Sequence, residues 1–220
     1  DSYEGQLNNP LTLNLYTYAQ NNPLIYTDPT GHKVYLIHGT FSDGNTWTDD
    51  FVDYSEKLFN EESEKLNWTG KDSNNARSNA ADTFVEQVYA WHLENPDEPI
   101  RLVGHSHGGN VAIMLTNLMA EKGVKVETLI TIATPVRGYK LKTEVGQHIN
   151  MYNNRDFVQT ELGVPKWKII LGISGSRKMK GADNVRAKDA EKKGTKIQAH
   201  SSMHSNIDIW KKYIEPILKL

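Results

Sequence analysis

A chain of 220 residues is long enough to bury one sizeable core. With 25 Lys and Arg against 27 Asp and Glu, its formal net charge is −2, so no basic field marks it for nucleic acid. The absence of cysteine excludes disulfides, thiolate metal sites and a cysteine nucleophile, and no apolar run approaches the ~20 residues of a membrane span.

The first 31 residues differ in texture from the rest. Turn signals at Asn8-Asn9-Pro10, Asn21-Asn22-Pro23 and Asp28-Pro29-Thr30-Gly31 separate short strand-like pieces such as 13–18. The run Asn9-Pro10-Leu11-Thr12-Leu13-Asn14-Leu15-Tyr16-Thr17-Tyr18, with the later Asn-Asn-Pro-Leu and Asp-Pro-Thr-Gly, resembles the C-terminal end of the RHS-repeat-associated core of bacterial polymorphic toxins. That resemblance implies that 1–31 closes a β-rich delivery shell and that 32–220 is the effector domain. It further implies a secreted or cell-surface location and an immunity protein as partner. The start at Asp1, without methionine or a signal-like apolar segment, reads as a piece of something longer.

From residue 33 onward, strand and helix patterns alternate. A strand over 33–37 runs into His38-Gly39-Thr40. A helix is expected over 46–59, a strand over 65–68, and an alanine-rich helix over 78–94 that Pro96 and Pro99 close. The apolar strand 100–103 then enters Gly104-His105-Ser106-His107-Gly108, and an apolar helix leaves it over 109–119. Strand, Gly-x-Ser-x-Gly and helix together read as a nucleophile elbow, in which a serine is lifted from the sheet on a strained turn whose neighbours must be glycine. Strands follow over 126–133 and 148–152, the second leading to Asn153-Asn154-Arg155-Asp156. The stretch 164–173 is apolar and bounded by proline and glycine; it reads as one more buried strand or helix turn, or as a wall or lid that binds an acyl chain through Trp167, Ile169 and Ile170. Residues 174–194 carry seven Lys or Arg against three acids; they read as a solvated loop, with a mobile flap on anionic lipid headgroups as the functional alternative. A last strand is expected over 196–199 and a closing amphipathic helix over 207–220. The alternation predicts a mostly parallel sheet covered by helices on both faces, with ligands at the carboxyl ends of the strands.

A serine hydroxyl attacks a carbonyl only when a base removes its proton and a third group orients that base. Ser106 is the candidate nucleophile. Asp156, just past a strand, is the candidate acid; Asp183 and Asp189 are rivals that follow no predicted strand. His200 and His204 both lie after 196–199 as candidate bases. As a metal pair they lack a third ligand, so no metal or other cofactor is expected. Backbone N–H groups of Thr40 and His107 are the candidate oxyanion donors. His38 is expected to be structural.

Region 33–220 resembles the α/β-hydrolases, specifically their small bacterial lipases and esterases, through Leu36-Ile37-His38-Gly39-Thr40-Phe41, Gly104-His105-Ser106-His107-Gly108-Gly109-Asn110-Val111 and Ile132-Ala133-Thr134-Pro135. Asn67-Trp68-Thr69-Gly70 with Arg77 resembles a lipase-like subgroup. The resemblance implies a lipase, phospholipase or carboxylesterase acting on a lipid or other ester, with transient contact to a membrane surface, and it favours His200 over His204. It also implies a sheet trimmed of the family's first antiparallel strands. An amidase, thioesterase or acyltransferase of the same fold remains open, as does a non-catalytic binding module at a toxin tip.

Overall fold

A computed structural model describes residues 33–161, 175–192 and 194–219. The expected shell end 1–31, the trimming before Lys33 and the Trp167, Ile169 and Ile170 wall lie outside the described residues.

Six strands form one sheet in the order β2-β1-β3-β4-β5-β6, and every pairing is parallel. They are β1 Lys33–Ile37, β2 Glu62–Leu66, β3 Ile100–His105, β4 Thr128–Ile132, β5 Gln147–Tyr152 and β6 Asp183–Arg186. The central strands β3, β4 and β5 are buried along their whole length, as expected for a parallel sheet covered on both faces. Alternation in β1 divides the core. Tyr35 and Ile37 pack with α2 (Asn74–Glu94) and α3 (His107–Glu121). Val34 and Leu36 pack on the other face with α1 (Asp49–Phe59), α5 (Lys196–Ser205) and α6 (Ile207–Tyr213). A single turn, α4 (Val158–Glu161), follows β5.

Local chemistry explains where the elements begin. Ser73 caps α2 by accepting from Ala76 N at 3.1 Å, so the helix starts four residues before the predicted 78. Residues 44–46 form a separate 3-10 turn, and α1 begins only at Asp49, with Asp49 and Asp50 in its first turn. The predicted strand 65–68 lies instead at Glu62–Leu66, which leaves Trp68 beyond its end.

Three expectations about the C-terminal part are corrected. Residues 196–199 are the first turn of α5, not a strand: Thr195 Oγ1 accepts from Gln198 N at 3.2 Å and Gln198 Oε1 accepts from Thr195 N at 2.7 Å. Four residues of apolar alternation fit a strand or a helical turn equally, and this reciprocal capping box decides for the helix. The last strand is β6, inside the stretch expected to be a loop or flap. It is a polar edge strand, Asp-Asn-Val-Arg, paired on one side only, so it lacks the apolar pattern that marks central strands. The closing helix ends at Tyr213, and a 3-10 turn over Glu215–Ile217 follows at Pro216.

Candidate active site

Ser106 stands between β3 and α3 with φ 54° and ψ −129°, a conformation costly for any residue but glycine. The surroundings hold it there. Its N–H donates to Ile132 O at 2.8 Å, and Gly109 N donates back to Ser106 O at 3.0 Å. The glycines are required by close approach. A Cβ at Gly104 would lie 2.5 Å from Gly109 Cα, and one at Gly108 would strike the carbonyls of Ile37 and His38 at the end of β1. A Cβ at Gly39 would lie 2.8 Å from Ser106 Cβ, so only glycine lets this loop lie against the nucleophile.

The candidate acid and the candidate base come from elements far apart in sequence. Asp156, fully buried beyond β5, accepts from His200 Nδ1 through Oδ2 at 2.7 Å. Its Oδ1 accepts from Val158 N at 2.9 Å and Gln159 N at 3.3 Å. With Nδ1–H donated to a carboxylate, His200 keeps Nε2 as its basic nitrogen. The His200 ring lies 4.8 Å from that of His105, the residue before Ser106. Ser106 Oγ makes no hydrogen bond within the described residues, so the hydroxyl is uncommitted.

His204 is placed differently. Its Nε2 donates to Thr46 O at 3.1 Å, and its ring packs edge-on against Trp47. Burial lowers its pKa to about 4. His105, fully buried between the two, is pushed well below the ordinary histidine range by burial and by the charges His204 and His200 would carry. Of the rival acids, Asp183 opens β6 at the opposite end of the sheet from Asp156. Asp189 does follow a strand, contrary to expectation, but its carboxylate is held by Lys212 at 2.5 Å and Tyr213 Oη at 3.1 Å. Among the described residues no group of His, Asp and Glu is arranged to hold a metal ion.

The loop after β1 carries Thr40. Neither Thr40 N nor His107 N donates to another group among the described residues, so both are available to an oxyanion. The loop is held from below: Trp68 N donates to His38 Nε2 at 3.2 Å, Trp68 Nε1 to His38 O at 2.9 Å, and the two rings stack. Both ring nitrogens of His38 are engaged, with Nδ1 2.9 Å from Gly39 O, which gives it a structural place. Phe41 N donates to Gly70 O at 2.9 Å, so Trp68 and Gly70 of the Asn67-Trp68-Thr69-Gly70 run both support the loop.

Several supporting residues are not evident from sequence. Asn153, fully buried, accepts from Asp156 N at 2.8 Å and Arg155 N at 2.9 Å, and donates to Ala199 O at 2.9 Å. It thus ties the turn bearing Asp156 to the helix bearing His200. Arg177, from the stretch expected to be a solvated loop, donates to Asp156 O at 2.9 Å. Asp72 lies 3.6 Å from His107 Nδ1 and accepts from Arg77 Nη1 at 2.8 Å. Burial raises its carboxyl pKa, but the Arg77 hydrogen bond and the surrounding positive charge prevail and hold it below the usual range. An Asn directly after a strand, or an Asp before a helix cap, has no local pattern that separates it from a turn residue.

The PGAP1-like alpha/beta domain family matches residues 28–171, which hold β1 to β5, the elbow and Asp156 but not His200. No curated protein matches the chain. Among solved structures, the thioesterase domain from the curacin biosynthetic pathway is 25% identical over 54% of this chain and 42% of that one, with a TM-score of 0.35. The mature lipase BlEst2 of Bacillus licheniformis is 16% identical over 87% of this chain and 64% of its own, with a TM-score of 0.39. Carboxyl esterase 2 of the mycorrhizal fungus Tuber melanosporum is 11% identical over 50% and 39%, with a TM-score of 0.40. The chain covers less than two thirds of each of these structures.

Proposed function

The chain belongs to the PGAP1-like α/β domain family, and on that premise we propose that it is a serine hydrolase of carboxylic esters. The observation that carries the reading is the buried 2.7 Å contact between Asp156 and His200, whose ring lies 4.8 Å from that of His105, the residue before the strained Ser106. Ser106 Oγ attacks the ester carbonyl while His200 Nε2 takes its proton, and Asp156 holds the imidazole in the required tautomer. The N–H groups of Thr40 and His107 donate to the developing oxyanion. His200 then returns the proton to the leaving alcohol, and water cleaves the acyl-enzyme by the same steps. No step calls for a cofactor.

Lipids or related esters are the proposed substrates, as for a lipase, phospholipase or carboxylesterase. Phe41, 87% exposed next to Thr40, supports this because it offers an aromatic surface to an acyl chain. The RHS-like texture of 1–31 supports a role as a secreted toxin effector restrained by an immunity protein. The test is turnover of p-nitrophenyl butyrate, followed by product analysis on intact phospholipids and triglycerides. Ser106→Ala should lower kcat by roughly 10⁴-fold or more with the fold retained. Equal turnover by the variant would end the serine-hydrolase reading, and thioester cleavage without ester cleavage would redirect it to a thioesterase.

A further inference from the structure

The two main-chain groups assigned to the oxyanion come from separate segments, the loop after β1 and the first residue of α3. Their side chains touch. Thr40 Oγ1 and His107 Nδ1 are hydrogen-bonded across 67 positions of sequence. The contact has a buried foundation. His107 is fully buried, with Asp72 Oδ1 3.6 Å from the same Nδ1. Asp72 is held by Arg77, itself buried, whose Nη2 donates to Asn74 Oδ1 at 2.8 Å and whose Nε donates to Tyr139 Oη at 2.9 Å. Tyr139 Oη closes the set by donating to Asn74 Oδ1 at 2.8 Å.

The loop needs such a hold. Phe41, the next residue, is exposed and has φ 57°, so just past Thr40 the chain has no core anchor in its own sequence. Oxyanion donors stabilise a transition state only when held near the productive position, within about 0.5 Å. We propose that the Thr40–His107 hydrogen bond is a brace that sets the spacing of the two oxyanion donors, with Asp72 and Arg77 as its anchor. Thr40 and His107 therefore serve twice, through their main chains as donors and through their side chains as positioning groups. Burial, with the charges of Arg137 and Arg77, lowers the His107 pKa to about 3, so the imidazole is neutral at physiological pH. The Asp72 carboxylate facing Nδ1 favours the proton on that nitrogen, which donates to Thr40 Oγ1.

The inference rests on the serine-hydrolase reading, and the experiment separates the two. Labelling of the wild-type chain by a fluorophosphonate, lost in Ser106→Ala, tests the reading; an unlabelled wild type overturns both. Given labelling, Thr40→Val removes the hydroxyl at constant shape. It should lower kcat on p-nitrophenyl butyrate by about 10- to 100-fold with KM within about threefold, and Thr40→Ser should recover most of the loss. Inhibition by phenylboronic acid, whose serine adduct places an oxygen in the oxyanion position, should weaken in step with kcat. His107→Phe should cost a similar factor, and the double variant no more than either alone, because a brace is lost only once. Circular-dichroism melts show whether each variant is folded. Unchanged kcat in folded Thr40→Val, failure of Thr40→Ser to recover, or losses that multiply in the double variant would each overturn the brace and leave the serine-hydrolase reading intact.

Discussion

The contrast between His200 and His204 shows how position, not residue type, assigns chemistry. Both are buried to a similar degree on one helix, yet only His200 meets a carboxylate, while His204 spends Nε2 on the Thr46 carbonyl. His200→Ala is expected to lose about as much kcat as Ser106→Ala, since triad members act as a unit. His204→Ala should lose tenfold or less and show its effect in thermal stability. The reverse pattern in the esterase assay would move the base to His204. Asn153 makes a second residue-scale expectation. Its amide bonds both the candidate acid's turn and the Ala199 carbonyl, so Asn153→Ala strands two buried polar groups, Asp156 N and Ala199 O, at a cost of about 1–3 kcal/mol for each group left unsatisfied. A stable, folded Asn153→Ala with kcat within twofold of wild type would show that the acid and base need no such tie. Ser106 and Asp156 were legible in sequence as candidates, through the pentapeptide and the strand end. Asn153 was not, because its partners lie 3 and 46 residues away and nothing local distinguishes it from Asn154.

At the scale of elements, the strand-elbow-helix unit is where local sequence and tertiary demand coincide. Gly104 and Gly108 are fixed by backbone atoms of α3 and β1, whereas a Cβ at Gly138 would meet nothing within 4 Å. Gly104→Ala is therefore expected to destabilise by about 3 kcal/mol or more, within the range of overpacking and forced backbone shifts, and Gly138→Ala by less than about 0.5 kcal/mol. Denaturant midpoints check this, and equal midpoints for the two would contradict the close approach. Strands β3 and β4 could be read because burial on both faces writes itself as largely apolar runs. Strand β6 could not, since an edge strand of Asp-Asn-Val-Arg is held by main-chain pairing to β5 and by polar side-chain contacts such as Asn150 Nδ2 to Asn184 Oδ1, which leave no apolar run. The start of α5 is ambiguous in sequence for a different reason: Thr195-x-x-Gln198 carries a capping signal, but the apolar alternation beside it has two structural solutions.

Across the whole molecule, burial holds a set of histidines neutral. His148 and His204 are lowered to about 4 and His107 to about 3, with burial the largest cause for each, and His105 is pushed well below the ordinary 6.5. A histidine with a depressed folded pKa binds its proton first in the unfolded chain. The associated stability is complete above about pH 6.5 and drains as pH falls through the window down to the folded values. Between pH 7 and pH 5 the thermal midpoint is expected to drop by about 5 °C or more, and a flat midpoint over that interval would show that these rings are solvated in the folded state. The sequence by itself determined the alternating α/β plan, the elbow and its serine, and a short set of candidate acids and bases, because periodicity and glycine spacing are local signals. Only the tertiary structure decided which histidine meets Asp156, that Asn153 links their two elements, and that Thr40 and His107 touch. Those pairings join residues 44 to 67 positions apart, and their energies depend on burial and distance, which exist only once the sheet has brought its carboxyl ends together.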